Sequence, residues 1–304
     1  MDFGLRNKTA VVTGGGSGGI GQAVAMALAR EGVNVVVNDI ARDEQGRYRA
    51  DVVAEDILKM GGRAVANHDS VASREGAENM IRTAVDRFGR IDILVNCAGN
   101  FHFVPTLDIT EENWNSVLSV HLGGHFHCCK AALPEMVRQR SGRIINFSSR
   151  AAFGVGGNLA YTSAKAAILG MTAMLAGEFR EHGITVNAVL PSADTKLFPG
   201  PRPKGVKSTM PEPLSIEPEF IAPVVAYLAS DHAGYLTGQF IYVSGGDICL
   251  FPKSFQIPMD SPVFLRKPGK WTMEELAQVL PSVVDAGSQV ISSALPDPGD
   301  RREE

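Results

Sequence analysis

The stretch TAVVTGGGSGGIGQAVAMALARE, residues 9–31, decides the fold of this chain. Its apolar, β-branched start predicts a buried strand, glycines follow, and apolar residues spaced three or four apart predict a helix from residue 20. Glycines let a backbone turn approach a pyrophosphate, and the N-terminus of the helix directs N–H groups at that anion. A flexible linker is disfavoured because a strand and a helix flank the glycines. The stretch therefore predicts a dinucleotide-binding unit.

Further apolar runs repeat the pattern of this first strand. They lie at residues 33–38, 91–96, 142–147, 184–190 and 239–243, and helical patterns occupy residues 74–88, 110–140, 158–182 and 218–230. Pro134 is expected to kink or end the helix in which it lies. Strands without polar alternation, separated by helices, are typical of a parallel sheet covered on both faces. We therefore predict an α/β fold: one doubly wound Rossmann-type domain with a mostly parallel, seven-stranded sheet flanked by helices.

Two segments interrupt the alternation of strands and helices. Residues 192–218 are rich in proline, glycine and lysine and follow a strand end, where open α/β sheets bind ligands, so a substrate lid is favoured over an inert linker. The Rossmann-type domain is predicted to span residues 1–250. Residues 251–304 then form a C-terminal extension with a short helix at 271–280, and the last dozen residues are expected to be disordered.

The composition disfavours several classes of partner. With 44% hydrophobic and 20% charged residues, a net charge of −4 and a pI near 6.0, the chain has no basic field for nucleic acid or an anionic membrane. Its four cysteines form no CxxC pair, and its histidines show no metal-ligand spacing, so free thiols and no metal are expected. Neither a signal region nor a run of about 18 apolar residues is evident. We expect a cytoplasmic protein.

Asp39 follows the second predicted strand, 18 residues after Gly21. This is close to the spacing at which a carboxylate accepts hydrogen bonds from the adenine ribose hydroxyls, and its charge would repel a 2′-phosphate. No Arg or Lys within residues 9–29 offsets that repulsion, although Arg42 lies near in sequence. NAD is therefore predicted over NADP.

The segment YTSAK places Tyr161 and Lys165 four residues apart, on one face of a helix. A phenol is a poor base at neutral pH, but a neighbouring ammonium stabilises the phenolate and lowers the pKa of the tyrosine. Taken alone, such a pair is most often a solvated helix face. The dinucleotide-binding unit upstream favours an acid–base role.

Four motifs of the chain occur in the order and approximate spacing of short-chain dehydrogenases/reductases: TGGGSGGIG at 13–21, NCAG at 96–99, NFSS at 146–149 and YTSAK at 161–165. The chain resembles that family over about residues 5–250. The resemblance implies that Tyr161 exchanges a proton with the substrate oxygen, that Lys165 assists it and holds the nicotinamide ribose, and that a serine hydrogen-bonds that oxygen. It implies cofactor contacts at Gly14, Ser17, Gly19, Ile20, Gly21, Asp39, Asp69, Ser70, Asn96, Ala98, Gly99, Tyr161, Lys165, Pro191 and Thr195.

Three features depart from the usual pattern of this family. The motif selects Ser149 as the catalytic serine, whereas the commonest spacing of 13 residues to Tyr161 selects Ser148; we assign Ser149 and infer a shortened loop at 150–160. The glycine loop is one residue longer than TGxxxGIG, which leaves the contacts of residues 15–19 open. His121 replaces an asparagine that holds a relay water, and a relay role and a packed imidazole are equal alternatives. Ordinary surface or packing roles are expected for His102, His125 and His127.

Within this family, the chain most resembles the hydroxyacyl-CoA dehydrogenase domain of peroxisomal-type multifunctional enzymes and their bacterial single-domain relatives. The resemblance rests on His121 and on the segments VVVNDIARDEQGRY, GGRAVANHDSV and YLTGQFIYVSGGD. The resemblance implies oxidation of a 3-hydroxyacyl-CoA or of a hydroxysteroid or sterol-derived alcohol, with Arg202, Lys204 and Lys207 of the lid facing a CoA phosphate. The alternatives are a dehydrogenase of an unrelated small alcohol or diol and a non-catalytic dinucleotide-binding regulator. A homodimer or homotetramer, formed through the helices at 110–140 and 158–182, is also implied.

Overall fold

Eight strands form one sheet in the described part of this computed structural model, which comprises residues 2–154, 156–195, 197 and 215–251. The strands are β1 (Thr9–Thr13), β2 (Asn34–Asn38), β3 (Arg63–Asn67), β4 (Ile93–Asn96), β5 (Gly142–Phe147), β6 (Ile184–Pro191), β7 (Phe240–Ser244) and β8 (Asp247–Phe251). Their order is 3-2-1-4-5-6-7-8, and every neighbouring pair is parallel except β7 with β8. The reversal of order between β1 and β4 opens a crevice at the carboxyl ends of these strands.

Helices cover both faces of the sheet, which confirms the predicted α/β Rossmann-type fold. The described α-helices are α1 (Ile20–Arg30), α2 (Arg49–Lys59), α3 (Arg74–Phe88), α4 (Glu111–Leu118), α5 (Gly124–Gln139), α6 (Leu159–Glu178) and α7 (Ala222–Ala229). Short 3-10 turns lie at Thr106–Asp108, Arg150–Phe153, Arg180–His182, Pro218–Phe220 and Asp231–Ala233. Successive strand residues point to opposite faces, so Val12 packs in the cluster with α1, α2 and α7, and Val11 in the cluster with α3 and α5.

The predicted sheet of seven strands has one strand fewer than the eight strands of the structure. The sequence DICLF of β8 alternates half-buried and exposed residues, because an antiparallel edge strand needs only one apolar face. The strand β3 at the opposite edge, RAVAN, is also only partly buried. Neither strand shows the continuous apolar run of the central strands, and α2 was likewise not predicted.

The helix predicted over residues 110–140 is divided by a π-helical segment, Ser119–Gly123, between α4 and α5. Such wider turns are frequent near functional sites. Of the two outcomes expected at Pro134, a kink or an end of the helix, the end does not occur, because α5 continues to Gln139. Proline removes one backbone hydrogen bond, and burial of Cys128, Leu133 and Met136 on the sheet keeps the helix in place on both sides of it.

Contacts divide the chain into a compact unit, Met1–Lys253, and a second unit, Ser254–Glu304. The first unit contains the whole sheet. The extension predicted at 251–304, including the helix at 271–280, lies outside the described residues from position 252 onward. Of the predicted lid, only residues 192–195, 197 and 215–218 are described, so Arg202, Lys204 and Lys207 lie outside the described residues as well.

One described helix, α6, is long and apolar enough to cross a membrane by length and composition. The helix is not the uninterrupted apolar run that the sequence analysis looked for, because Thr162, Ser163 and Lys165 lie within it. The core helix of a folded domain passes the same test. Eight residues of α6 are buried inside the protein, Tyr161 and Lys165 among them.

Candidate active site

The glycine-rich turn lies tightly against the segment that follows β4. Gly14 has a φ of +67°, and a Cβ atom added to it would lie 2.9 Å from the Cα of Ala98. A Cβ atom on Gly21 would lie 2.3 Å from the carbonyl oxygen of Gly14. Side chains are therefore excluded at both positions, and the N-terminus of α1 faces the crevice between β1 and β4.

The carboxylate of Asp39, at the end of β2, holds the glycine-rich turn. One of its oxygens accepts hydrogen bonds from the backbone N–H of Gly16 at 3.0 Å and from the hydroxyl of Ser17 at 2.6 Å. The other oxygen accepts the N–H of Ala41 at 2.9 Å. A carboxylate has about four acceptor positions, so these three donors leave one for a ligand hydroxyl.

A single cavity of about 570 Å³ extends from the glycine-rich turn to the YTSAK segment. The predicted residues that line it are Gly14, Ser17, Gly19, Ile20, Gly21, Asp39, Asp69, Ser70, Ala98, Gly99, His121, Ser149, Tyr161, Lys165, Pro191 and Thr195. Asn96 is the exception. Its side chain is buried on the face of the sheet that α5 covers, away from the crevice. There it donates to the amide oxygen of Asn146 at 3.0 Å.

The two serines after β5 face in different directions. The side chain of Ser149 hydrogen-bonds Tyr161. Ser148 is buried, and its hydroxyl donates to the backbone carbonyl of Lys165 at 2.8 Å. The geometry therefore brings Ser149, not Ser148, to the tyrosine hydroxyl.

Burial dominates the acid–base properties of the YTSAK pair. The Nζ atom of Lys165 donates to the carbonyl of Phe147 at 2.6 Å and lies 5.4 Å from the centre of the Tyr161 ring. Desolvation lowers the pKa of Lys165 to about 7. It also raises the pKa of Tyr161 above its ordinary value, an effect that the bond from Ser149 opposes. The expected lowering of the tyrosine pKa is thus not seen in this ligand-free protein, because burial outweighs the hydrogen bond from Ser149.

Known proteins are similar in sequence to this chain over most of its length. A family model described as enoyl-(acyl carrier protein) reductase matches residues 15–247. A protein of Mycobacterium tuberculosis, named as a short-chain type dehydrogenase/reductase, Rv0148, is 41% identical over 249 residues, which are 80% of this chain and 84% of the relative.

The chain belongs to the short-chain dehydrogenase/reductase family.

Other relatives of this short-chain dehydrogenase/reductase have more specific names. A 3-oxoacyl-[acyl-carrier-protein] reductase, FabG, of Staphylococcus epidermidis is 39% identical, with 79% of this chain and 98% of the relative covered. A (2S)-[(R)-hydroxy(phenyl)methyl]succinyl-CoA dehydrogenase subunit, BbsD, of Thauera aromatica is 36% identical, with 80% and 98% covered. The crystal structure of a short chain dehydrogenase from Mycobacterium avium is 34% identical, with a TM-score of 0.80 and 92% and 96% of the two chains covered.

This membership establishes the reaction class. The chain is an oxidoreductase that binds a nicotinamide dinucleotide and acts on CH–OH or ketone groups. The structure adds cavity residues to which the sequence analysis assigned no contact, namely Asn38, Ile40, Ala41, Arg49, Val71, Cys97, Asn100, Val120, Phe147, Ser148, Ala193 and Leu197. Most of these residues are next in sequence to a predicted site residue, and this position alone could have indicated that they line the cavity. Arg49 has no such signal, because the loop at 42–48 brings it to the cavity.

His121 of this short-chain dehydrogenase/reductase is a buried, neutral ring beside the tyrosine. It meets the Tyr161 ring edge to face, with the centroids 5.2 Å apart, and its Nε2 lies 2.8 Å from the carbonyl oxygen of Asn100. A Cβ atom on Gly99 would lie 2.5 Å from the imidazole, so the glycine of NCAG makes room for it. Burial holds the pKa of His121 well below its usual value.

The Nδ1 atom of His121 has no hydrogen-bond partner among the described residues. The backbone carbonyl of His121 is 2.6 Å from Nδ1 of His125, which is also buried. Burial lowers the pKa of His125 to about 3. His125 is thus a packing residue whose ring bonds the π-helical segment at the carbonyl of His121, which also accepts the backbone N–H of Gly124.

Proposed function

We propose that this enzyme interconverts a 3-hydroxyacyl thioester and the corresponding 3-oxoacyl thioester, with NAD as the cofactor. The observation that carries the proposal is the single cavity that has Asp39 and the glycine-rich turn at one end and Ser149 and Tyr161 at the other. The names of two relatives, a 3-oxoacyl-[acyl-carrier-protein] reductase and a (2S)-[(R)-hydroxy(phenyl)methyl]succinyl-CoA dehydrogenase subunit, support a thioester substrate.

The cavity fits a dinucleotide. Its volume of about 570 Å³ is that of a small-molecule site, and the glycine-rich turn excludes side chains where a pyrophosphate would approach the backbone. The N-terminus of α1 would hold the pyrophosphate, Asp39 the adenine ribose and Lys165 the nicotinamide ribose. When bound, the nicotinamide supplies or accepts the hydride.

The proton chemistry belongs to Tyr161. In reduction its hydroxyl donates a proton to the substrate oxygen, and in oxidation the phenolate accepts one. Because burial raises its pKa, the side chain is protonated at neutral pH and ready to donate. Ser149, already within hydrogen-bonding distance of that hydroxyl, would donate to the same substrate oxygen and stabilise its developing charge.

The charges at the adenosine end support NAD over NADP. Asp39 is mostly buried and would meet the 2′-position of the ribose with a negative charge. The guanidinium of Arg42 is engaged elsewhere: it donates to the carbonyl of Gly46 at 2.6 Å and lies 3.6 Å from the centre of the Tyr48 ring. Arg49 lines the cavity and is the cation that would favour a 2′-phosphate there.

A substrate panel tests the proposal. Purified protein with NAD or NADP is given 3-hydroxyacyl-CoA thioesters of several chain lengths, hydroxysteroids and simple secondary alcohols, and absorbance at 340 nm is followed. We expect the highest kcat/KM with a 3-hydroxyacyl-CoA and NAD. Turnover of a simple alcohol or a steroid without turnover of any thioester would contradict the substrate class. Cofactor binding without turnover of any compound would favour the non-catalytic regulator.

We also propose a homodimer or homotetramer in the cytoplasm. An apolar groove runs between α5 and α6, lined by Phe126, Leu133, Met171, Leu175 and Phe179. Phe126 and Met174 are 48% and 65% exposed, which is costly unless a partner covers them. Light scattering of the wild type and of a Met171→Glu variant tests this: an oligomer that the glutamate dissociates is expected, and a monomeric wild type would contradict it.

A further inference from the structure

The side chain of Asn158 joins two elements of the active site. Its Oδ1 accepts the backbone N–H of Tyr161 at 3.0 Å, which makes Asn158 the N-cap of α6. Its Nδ2 donates to the carbonyl of His102 at 2.7 Å and lies 3.5 Å from that of Val104. One planar amide therefore ties the first turn of the tyrosine helix to a backbone segment more than 50 residues earlier in the chain.

That segment, residues 101–104, forms an aromatic wall beside the tyrosine. The ring of Phe101 packs edge to face on Tyr161, with centroids 5.3 Å apart and an interplanar angle of 89°. Phe103 packs in the same way on Phe101, at 4.9 Å and 84°. Phe101 also packs against the buried cluster that includes Val117. If the proposed function holds, an apolar chain attached to the reacting carbon lies next to this wall, because Phe101 packs on Tyr161 and the preceding residue, Asn100, lines the cavity.

Different contacts fix the two ends of the wall. At its beginning, the side chain of Asn100 donates to the hydroxyl of Ser116 at 2.9 Å, and its backbone bonds the ring of His121. At its end, the carbonyls of His102 and Val104 face Asn158. The ring of His102 also lies 3.2 Å from the hydroxyl of Ser116, and the Asn158 amide adds a hydrogen-bonded link from this end of the wall to the tyrosine helix.

We propose that Asn158 is a positioning residue that sets the discrimination between acyl chains of different length, by holding residues 101–104 against Tyr161. The inference rests on the proposed function, because it requires an acyl chain next to the tyrosine. An aspartate at this position keeps an acceptor for the Tyr161 N–H, so the helix cap is preserved. It also replaces the donor with an acceptor facing two carbonyl oxygens, so the tie to the wall is lost.

The test compares Asn158→Asp with the wild type on 3-hydroxybutyryl-CoA and 3-hydroxydecanoyl-CoA. We expect the KM of the preferred thioester to rise about tenfold, which is the scale of discrimination that apolar pockets provide. The kcat/KM for the preferred thioester, divided by that for the other thioester, should fall by a similar factor. The kcat and the Kd for NAD should change less than twofold. A residue that only capped the helix would leave KM and the ratio unchanged.

Ser73→Ala is the matched control. Ser73 caps α3 by accepting the N–H of Gly76 at 3.0 Å, far in sequence from the wall, and its loss should lower the Tm without changing chain-length discrimination. An unchanged discrimination ratio in Asn158→Asp, or an equal change in Ser73→Ala, would overturn the inference.

Hydrogen exchange gives a readout that does not need turnover. In Asn158→Asp the peptide that covers residues 101–105 should exchange at least severalfold faster than in the wild type, while peptides of β1 and β4 keep their protection. Unchanged exchange at 101–105 would refute the positioning role even if the protein turned over no thioester. The wild type could also turn over no thioester while the variant exchanges faster at residues 101–105. That result would contradict the proposed substrate and the role in chain-length discrimination, but it would still establish that Asn158 holds this segment.

Discussion

The side chain of Ser149 hydrogen-bonds the hydroxyl of Tyr161, while that of the preceding residue, Ser148, points away to the backbone of Lys165. Ser149 has extended backbone angles, φ −164° and ψ 159°. Consecutive side chains along an extended backbone point in opposite directions, so only one of two adjacent serines can reach the tyrosine. The assignment that the motif and the spacing left open thus acquires a structural basis.

Separate alanine variants of the two serines should behave differently. We expect Ser149→Ala to lose about 100-fold or more in kcat/KM, since it removes a donor to the reacting oxygen, with an unchanged Kd for NAD. Ser148→Ala should keep kcat/KM within a few fold and lose about 1 kcal/mol of stability through its buried hydrogen bond. Steady-state kinetics and urea unfolding measure both. A larger kinetic loss in Ser148→Ala would reverse the assignment.

Lys165 makes stability depend on pH at the alkaline side. Its pKa is about 7 in the folded protein and 10.5 in the reference state, so between these values the unfolded chain binds more protons and the free energy of unfolding rises with pH. Lys165→Met should abolish that rise and, at pH 6, stabilise the inactive protein by on the order of 1–3 kcal/mol. Unfolding in urea from pH 6 to 10 measures it.

The control for this prediction is Lys59→Met. Lys59 is 72% exposed in its ion pair with Asp56, so its replacement should leave the pH dependence of stability as in the wild type. If Lys165→Met shows the same rise as the wild type, the buried lysine does not have the lowered pKa described above.

His125 makes stability depend on pH at the acidic side. Burial lowers its pKa from 6.5 to about 3, so below pH 6.5 the unfolded state binds the extra proton and stability falls as the pH decreases. The loss is roughly 1.4 kcal/mol per pH unit for one such histidine. In His125→Asn this slope should be smaller by about that amount, whereas the exposed His232, replaced in the same way, should not change it. Equal slopes in the two variants would contradict the prediction.

Cofactor choice should respond to the charge of Asp39. Asp39→Asn keeps the volume and one acceptor oxygen but removes the negative charge that faces the ribose, so the ratio of kcat/KM with NAD to that with NADP should fall at least tenfold. Arg49→Met, which removes the cation of the same cavity, should shift the ratio the other way. Kinetics with both dinucleotides measure it. A preference for NADP in the wild type would show that Arg49 outweighs Asp39.

Sequence reasoning predicted the central strands, the glycine-rich turn and the tyrosine helix, because each has a continuous apolar run or a motif with a direct physical cause. It missed β3 and β8 because edge strands bury one face and need no such run. It allowed the helix to end at Pro134 because a local rule cannot weigh the burial of the residues on either side.

Tertiary placement accounts for the remaining differences at the site. The side chain of Asn96 lies on the face of the sheet that α5 covers, because its position along the strand, not its membership of a motif, decides the face on which it points. Arg49 reaches the cavity through a loop, and Asn158 ties two segments that no local pattern connects. The upward shift of the Tyr161 pKa depends on burial, which is a property of the folded chain.

Tyr161→Phe tests the central claim most directly. The substitution removes one oxygen and keeps the ring that packs on Phe101 and His121, so the fold and the Kd for NAD should be unchanged. Without the hydroxyl no group at this position exchanges the proton, and the rate of a single turnover followed at 340 nm should fall by about 1,000-fold or more. A variant that binds NAD normally and keeps the wild-type rate would show that Tyr161 is not the acid–base residue of this enzyme.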